Sequence, residues 1–360
     1  MRLARTENVS PRLFFRMLEI FGNAENALKE LPNFALKVGK KQPVEICSTE
    51  KIEKELLELE KIGANILTFE DEDYPKLFFH IESPPPIISY KGNKNLLNKD
   101  SIAIVGARNS SINGETLAKS IASDLAHKAQ MTIVSGLARG IDAAAHNAAL
   151  PNTIAVLAGG IDNIYPPQNA HLYQKIYNQG LLIAELPLGT KPLMQHFPQR
   201  NRLVSGLSLG VVVIEAGKNS GSLITANFAL EQGREVFAVP GFPLDPRSKG
   251  ANKLIKDGAI IVENASDIVE NLPQLTQVKT KLQEKPSQPY EILTEGSIEE
   301  VSDNMRELIL SLLSSTPIHI ETLISHSKIP IKIVYRILLE LELTEKIVRY
   351  PGNTIALILE

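Results

Sequence analysis

The 360-residue sequence contains a single cysteine, Cys47. An internal disulfide and a cysteine-rich metal site are therefore excluded, and Cys47 is expected to be a small inert thiol. A dominant charge sign is also missing. Lys and Arg number 38 against 41 Asp and Glu, for a formal net charge of −3. A uniformly basic nucleic-acid binder is excluded, so any anionic polymer must meet a local patch on a near-neutral body. No apolar run reaches the ~18 residues of a membrane span, and the N-terminus has no signal-peptide core. No membrane association and a cytoplasmic location are expected. Familiar chemical signatures are scarce as well. There is no G-x-x-x-x-G-K-[ST] loop; the stretch from Gly217 to Ser222 has only its composition. No G-x-G-x-x-G follows the first central strand, no Gly-x-Ser-x-Gly elbow occurs, and the seven histidines lack metal-ligand spacing. No cofactor and no metal are expected.

Hydrophobic residues make up 43% of the chain and charged residues 22%, enough for two or three packed domains. Residues 1–70 read as helical. Ser10-Pro11 is a cap followed by proline at the first helical position, and Leu13, Phe14, Met17, Leu18 and Phe21 form a stripe closed by Gly22. A second helix runs from Ala24 to a stop at Pro32. A third spans about Thr49 to Ile62. This pattern suits a small helical domain of SAM-like or helix-hairpin-helix type. Residues 71–272 alternate apolar strands with helices: Ile102–Val105, Thr132–Val134, Thr153–Leu157, Leu181–Ala184, Val211–Ile214, Val236–Val239 and Ala259–Val262, with a short edge strand over Ile87–Tyr90. Continuous apolar strands separated by helices imply an α/β fold, a Rossmann-like doubly wound and mostly parallel sheet covered on both faces. Residues 273–297 are polar and proline-bearing, as in a linker. Residues 298–360 give three helices and a hairpin, a winged helix. From Ile298 onward nine acids oppose six bases, so a protein-contact role is expected there rather than major-groove reading.

In a parallel sheet the segments that follow the strands converge on one rim. Here they carry glycines, serines and arginines: Gly106, Arg108 and Ser110 after the first strand, and Ser135, Gly136, Arg139 and Gly140 after the second. Phe197, Arg200, Asn201 and Arg202 follow the fourth, Ser222 the fifth and Lys249 the sixth. Glycines admit close backbone approach, arginine forks suit phosphate oxygens, and an aromatic face can carry a base. Phe197 fits a base-stacking role and a core-anchoring role equally well. Asp142 and His146 share a helix face as a possible acid/base pair, although Asp142 also fits a first-turn acid. Glu185 and Glu215 stand at strand ends, as general bases or as partners for the rim arginines.

With these residues in place, the chain resembles the DNA-processing protein A family (DprA, also called Smf). The resemblance rests on Val105-Gly106-Ala107-Arg108, on Ser135-Gly136-Leu137-Ala138-Arg139-Gly140-Ile141-Asp142, and on Gly159-Gly160-Ile161-Asp162 with Tyr165-Pro166. It continues through Phe197-Pro198-Gln199-Arg200-Asn201-Arg202, Ser220-Gly221-Ser222, Pro240-Gly241 and Ser248-Lys249-Gly250-Ala251-Asn252. It implies a non-enzymatic, homodimeric protein that binds single-stranded DNA, protects incoming strands in natural transformation and loads the RecA recombinase. Arg108 and the 200–202 segment would then hold phosphates, with Gly136 and Arg139 in the same pocket. Two other readings stand beside it. One is a nucleotide-processing Rossmann-like enzyme of phosphoribohydrolase type, using Glu215 and the 220–222 loop. The other is a scaffold that binds a recombinase without DNA.

Overall fold

The computed structural model describes residues 1–37, 44–272, 302–313, 317–344, 346–350 and 353–358. The expected linker and the Pro351-Gly352 turn lie outside the described residues. The chain forms two compact units, one of Glu50–Glu284 and one of Met1–Thr49 with Lys285–Glu360.

The first unit holds a nine-stranded sheet. Its strands are Asn65–Thr68 (β1), Ile87–Gly92 (β2), Ser101–Gly106 (β3), Thr132–Ser135 (β4), Thr153–Leu157 (β5), Leu181–Ala184 (β6), Gly210–Ile214 (β7), Glu235–Ala238 (β8) and Ile260–Ile261 (β9). Their order is β1-β2-β6-β5-β4-β3-β7-β8-β9. β2 runs antiparallel to β1 and β6; every other pairing is parallel. β5 and β7 are buried along their whole length, as expected for strands covered on both faces. From β3 the chain winds one way through β4, β5 and β6, then crosses to β7. The topological switch point thus falls between β3 and β7, where Gly106 is registered with Ile214.

Helices Ile112–Ser123, Ile141–Ala149, Ala170–Gln179, His196–Gly206, Gly221–Glu231, Lys249–Lys256 and Ala265–Glu270 are α4 to α10. They follow the two terminal helices Pro11–Phe21 (α1) and Ala24–Lys37 (α2), and Thr49–Lys61 (α3). Three differences from the sequence expectation have physical causes. α2 continues through Pro32 instead of stopping there; Ala27 and Leu31 are completely buried, and that packing outweighs the lost backbone bond. β1 was not anticipated, because only Leu67 of its four residues is buried and no apolar run marks it. α3 belongs with the sheet and not with a separate helical domain: its Leu59 joins the sheet core with Ala155, Leu157 and Leu182. Among the described residues no helix is long and apolar enough to cross a membrane.

The second unit combines α1 and α2 with a winged helix. The latter is built from Asp303–Leu312 (α11), Ile320–Ser327 (α12) and Ile331–Leu343 (α13), with strands Ile318–His319 (β10), Ile347–Tyr350 (β11) and Thr354–Leu357 (β12) in the order β10-β12-β11. Ile309, Ile320, Val334, Ile337, Leu338 and Ile355 are completely buried at its centre. Two of its arginines are paired internally, while Lys328, Lys332 and Lys346 are exposed. The Arg306 Nε donates to the Glu340 carboxylate at 2.6 Å, and the Arg349 Nε to Glu342 at 3.1 Å. The Arg16 guanidinium of α1 lies 4.0 Å above the Tyr335 ring of α13.

Candidate nucleic-acid interface

A cavity of about 310 Å³ opens at the carboxyl ends of β3, β4 and β5. Arg108, Gly136, Arg139, Phe197 and Arg200 line it together. Five of the residues picked from the sequence, drawn from three separate loops, therefore share one site. The lining also includes Leu157, Gly159, Asn163, Tyr165, Pro166 and Gln168, which the sequence selection of site residues passed over. The Tyr165-Pro166-Pro167 run after Gly159-Gly160 was the signal available for them.

The aromatic wall is half-buried Phe197 in the first turn of α7. Its ring lies 5.5 Å from that of Tyr165, tilted by 56°. The exposed Arg108 guanidinium sits 5.4 Å from its centroid. Phe197 thus faces the cavity instead of the core. Arg108 and Arg139 are both exposed, so their forks are available to an anion.

Arg200 is a different kind of residue. It is buried, 7% exposed, and its Nη1 donates to the carbonyls of Gly136 and of Val156, the latter at 2.6 Å. Burial pulls its pKa down to about 10, with Asp142 opposing the shift. It stays charged at neutrality and ties the ends of β4 and β5 together as the cavity floor. Gly136 is glycine for the same reason: a Cβ there would overlap the Arg200 guanidinium. Asp142 accepts bonds from the amides of Gly136 and Ala138 at 3.1 and 3.3 Å. Burial raises its pKa against Arg200 and those amides.

His146 does not pair with Asp142. Its Nδ1 lies 2.6 Å from the Thr153 hydroxyl, which itself donates to the Ile133 carbonyl at 2.8 Å. The ring is therefore the Nδ1–H tautomer, donating to Thr153, and its Nε2 is buried without a partner. Burial and then Arg200 push its pKa down to about 3. The acid/base pair considered from sequence is thus replaced by a neutral, structural histidine.

The remaining expected residues frame the cavity or lie away from it. Arg202 turns aside: it donates to the Ser83 carbonyl and pairs with Glu185. Asn201 accepts from the Arg200 Nε at 3.1 Å and donates to the Gly221 carbonyl at 3.2 Å. The Ser135 hydroxyl donates to the Ile104 carbonyl at 2.6 Å. Ser110 donates to Glu115 at 2.9 Å. Gly106 packs so closely on the Ile214 carbonyl that no side chain fits, and Gly140 has φ +72° beside the Ala107 carbonyl. Ser222 lies 2.7 Å from the Ser220 hydroxyl. Exposed Lys249 opens α9 beyond β8, beside a second hollow of about 370 Å³ lined by Lys218, Ser220, Gly250 and Lys253 among others.

Comparison with known proteins identifies the family. Residues 65–273 match the family described as DNA recombination-mediator protein A. The chain belongs to this family. Residues 1–57 match the DprA-like N-terminal HHH domain and residues 295–353 the DprA winged helix domain. Among its DprA/Smf relatives, the protein Smf of Escherichia coli is 38% identical over 311 residues, covering 85% of this chain and 81% of that protein. DNA processing protein DprA of Bacillus subtilis is 42% identical over 228 residues, covering 62% and 76%. The crystal structure of DprA from Streptococcus pneumoniae is similar with a TM-score of 0.66 and 35% identity, covering 74% of this chain and 95% of that one. DprA from Helicobacter pylori, whose structure is described for its single-stranded DNA binding mode, gives 0.53 and 31%, covering 60% and 97%.

Proposed function

We propose that this DprA/Smf-family protein binds single-stranded DNA at the cavity above β3, β4 and β5, without catalysing a reaction. The observation that carries the proposal is the convergence of Arg108, Arg139 and Phe197 on one cavity. Two solvent-accessible cations can neutralise neighbouring phosphates, while the Phe197–Tyr165 pair offers π faces that any base can meet. The single-stranded DNA binding mode described for the Helicobacter pylori relative is consistent with it. Protection of incoming strands in natural transformation, transfer of the strand to the RecA recombinase, homodimer formation and a cytoplasmic location complete the proposed role. The winged helix, with acids outnumbering bases and Arg306 and Arg349 paired internally, fits protein contact better than duplex reading.

The test is a titration of labelled single- and double-stranded oligonucleotides at two salt concentrations. Arg108→Ala is expected to weaken single-strand binding by about 1–3 kcal/mol. It should also make the salt dependence shallower by about 0.7 per lost phosphate contact. An Arg108→Ala protein with unchanged affinity and slope refutes this site.

A further inference from the structure

The switch point of a doubly wound sheet is its usual ligand crevice, with a phosphate at the N-terminus of the adjacent helix. Here that place, between β3 and β7 at the start of α4, is already filled from within. Glu215 follows the last residue of β7. One of its carboxylate oxygens accepts the Ser111 amide at 2.8 Å, and the other accepts the Ser111 hydroxyl. The same hydroxyl accepts the Gly114 amide at 2.9 Å, capping α4. Gly114 makes room: a Cβ there would stand 2.5–2.8 Å from the carboxylate atoms. Glu215 itself has φ +51°, a backbone conformation that a non-glycine residue keeps only where its surroundings hold it.

We infer that the Glu215 carboxylate acts as a built-in substitute for a phosphate, positioning the Arg108 loop and closing the switch-point crevice to free nucleotides. The chain from Gly106 to Ser111 is held from two sides. Glu215 grips Ser111 on one. On the other, Gly140 lies against the Ala107 and Arg108 carbonyls, and the Ile141 amide donates to Ala107 at 3.3 Å. Arg108, between these anchors, is presented to Phe197 already ordered, so less freedom is lost when a strand binds. The anion that a Rossmann-like fold ordinarily recruits from solution is supplied by the chain, which moves the ligand site one strand along to the β3–β5 cavity. With both oxygens engaged, Glu215 is a positioning residue and not a general base. This inference rests on the single-stranded DNA reading of that cavity.

The experiment uses the full chain with Glu215→Ala and Glu215→Gln, beside Arg108→Ala. Two quantities are read: oligonucleotide affinity, and amide exchange of residues 107–115 in the free protein. Glu215→Ala is expected to lose affinity about five- to tenfold, the order of one or two newly mobile side chains, and to exchange faster over 107–115. Sodium formate, compared with sodium chloride at equal ionic strength, is expected to restore both by refilling the vacated anion position. Glu215→Gln keeps the shape and one acceptor, so it should fall between the two and serves if the alanine protein does not fold. Wild-type protection over 107–115 in both variants, or loss that formate does not reverse, overturns the positioning role. If wild-type protein has no oligonucleotide affinity while formate still restores protection in Glu215→Ala, the positioning role survives and the DNA reading fails.

Discussion

At the scale of single residues, the cavity floor sets the sharpest constraints. Gly136→Ala would place a methyl group into the buried Arg200 guanidinium, which is fixed by two carbonyls and cannot swing aside. A loss of about 1–3 kcal/mol is expected from such overpacking, measurable as a lowered urea midpoint with an unchanged slope. His146, with no exposed surface, supplies a pH signature. Its folded pKa of about 3 lies below the ordinary 6.5. Above about 6.5 neither folded nor unfolded chain is protonated there, and the stability is full. As the pH falls toward 3 the unfolded chain takes up a proton that the folded one refuses, so stability drops by up to about 1.4 kcal/mol per pH unit. The difference between wild type and His146→Gln isolates this slope, since the opposite influence of Asp142 is common to both. A slope unchanged by the substitution would contradict the buried neutral imidazole. The sequence placed Asp142 and His146 on one helix face correctly, yet could not reveal that Thr153, from the neighbouring strand, would claim the ring nitrogen first.

At the scale of elements, the parallel strands were the most legible part of the chain. Burial on both faces turns β3, β5, β6 and β7 into nearly continuous apolar runs. Part of the cavity lining followed from one rule, that loops after parallel strands meet on a single rim: Arg108, Arg139 and Phe197 do come together. The same rule could not place Arg202. Residues two apart on a helix are rotated by about 200°, so Arg200 and Arg202 of α7 cannot share a face. Once Arg200 fills the floor, Arg202 must turn toward Ser83 and Glu185. Tertiary packing also hid the extension of α2 past Pro32. The contact of α1 with α13 lay equally beyond pattern reading, because nothing in either helix names the other. Its energy is accessible by a double-mutant cycle on Arg16 and Tyr335. The guanidinium is partly desolvated, and burial, followed by Arg349, lowers its pKa. A coupling of about 1–2 kcal/mol is therefore expected for the cation–π pair. Additive single mutants in urea unfolding would show that the two side chains merely coincide.

At the scale of the whole molecule, a net charge of −3 leaves attraction to DNA to a small cationic region. Single-strand affinity should fall only modestly between 50 and 200 mM salt, about sevenfold, with a slope of about −1.4 if Arg108 and Arg139 each neutralise one phosphate. A slope several times larger in the oligonucleotide titration would require cations from outside the cavity. The composition of the two units has a further effect on how the protein is made. Glu50–Glu284 is continuous in the chain, whereas the other unit joins Met1–Thr49 to Lys285–Glu360. The ribosome therefore delivers Arg16 roughly 300 residues before Tyr335, an interval of about 15–60 s at about 5–20 residues per second. Throughout that wait the first helices of the nascent polypeptide are without their C-terminal counterpart, and they are the natural stretch for a chaperone to shield.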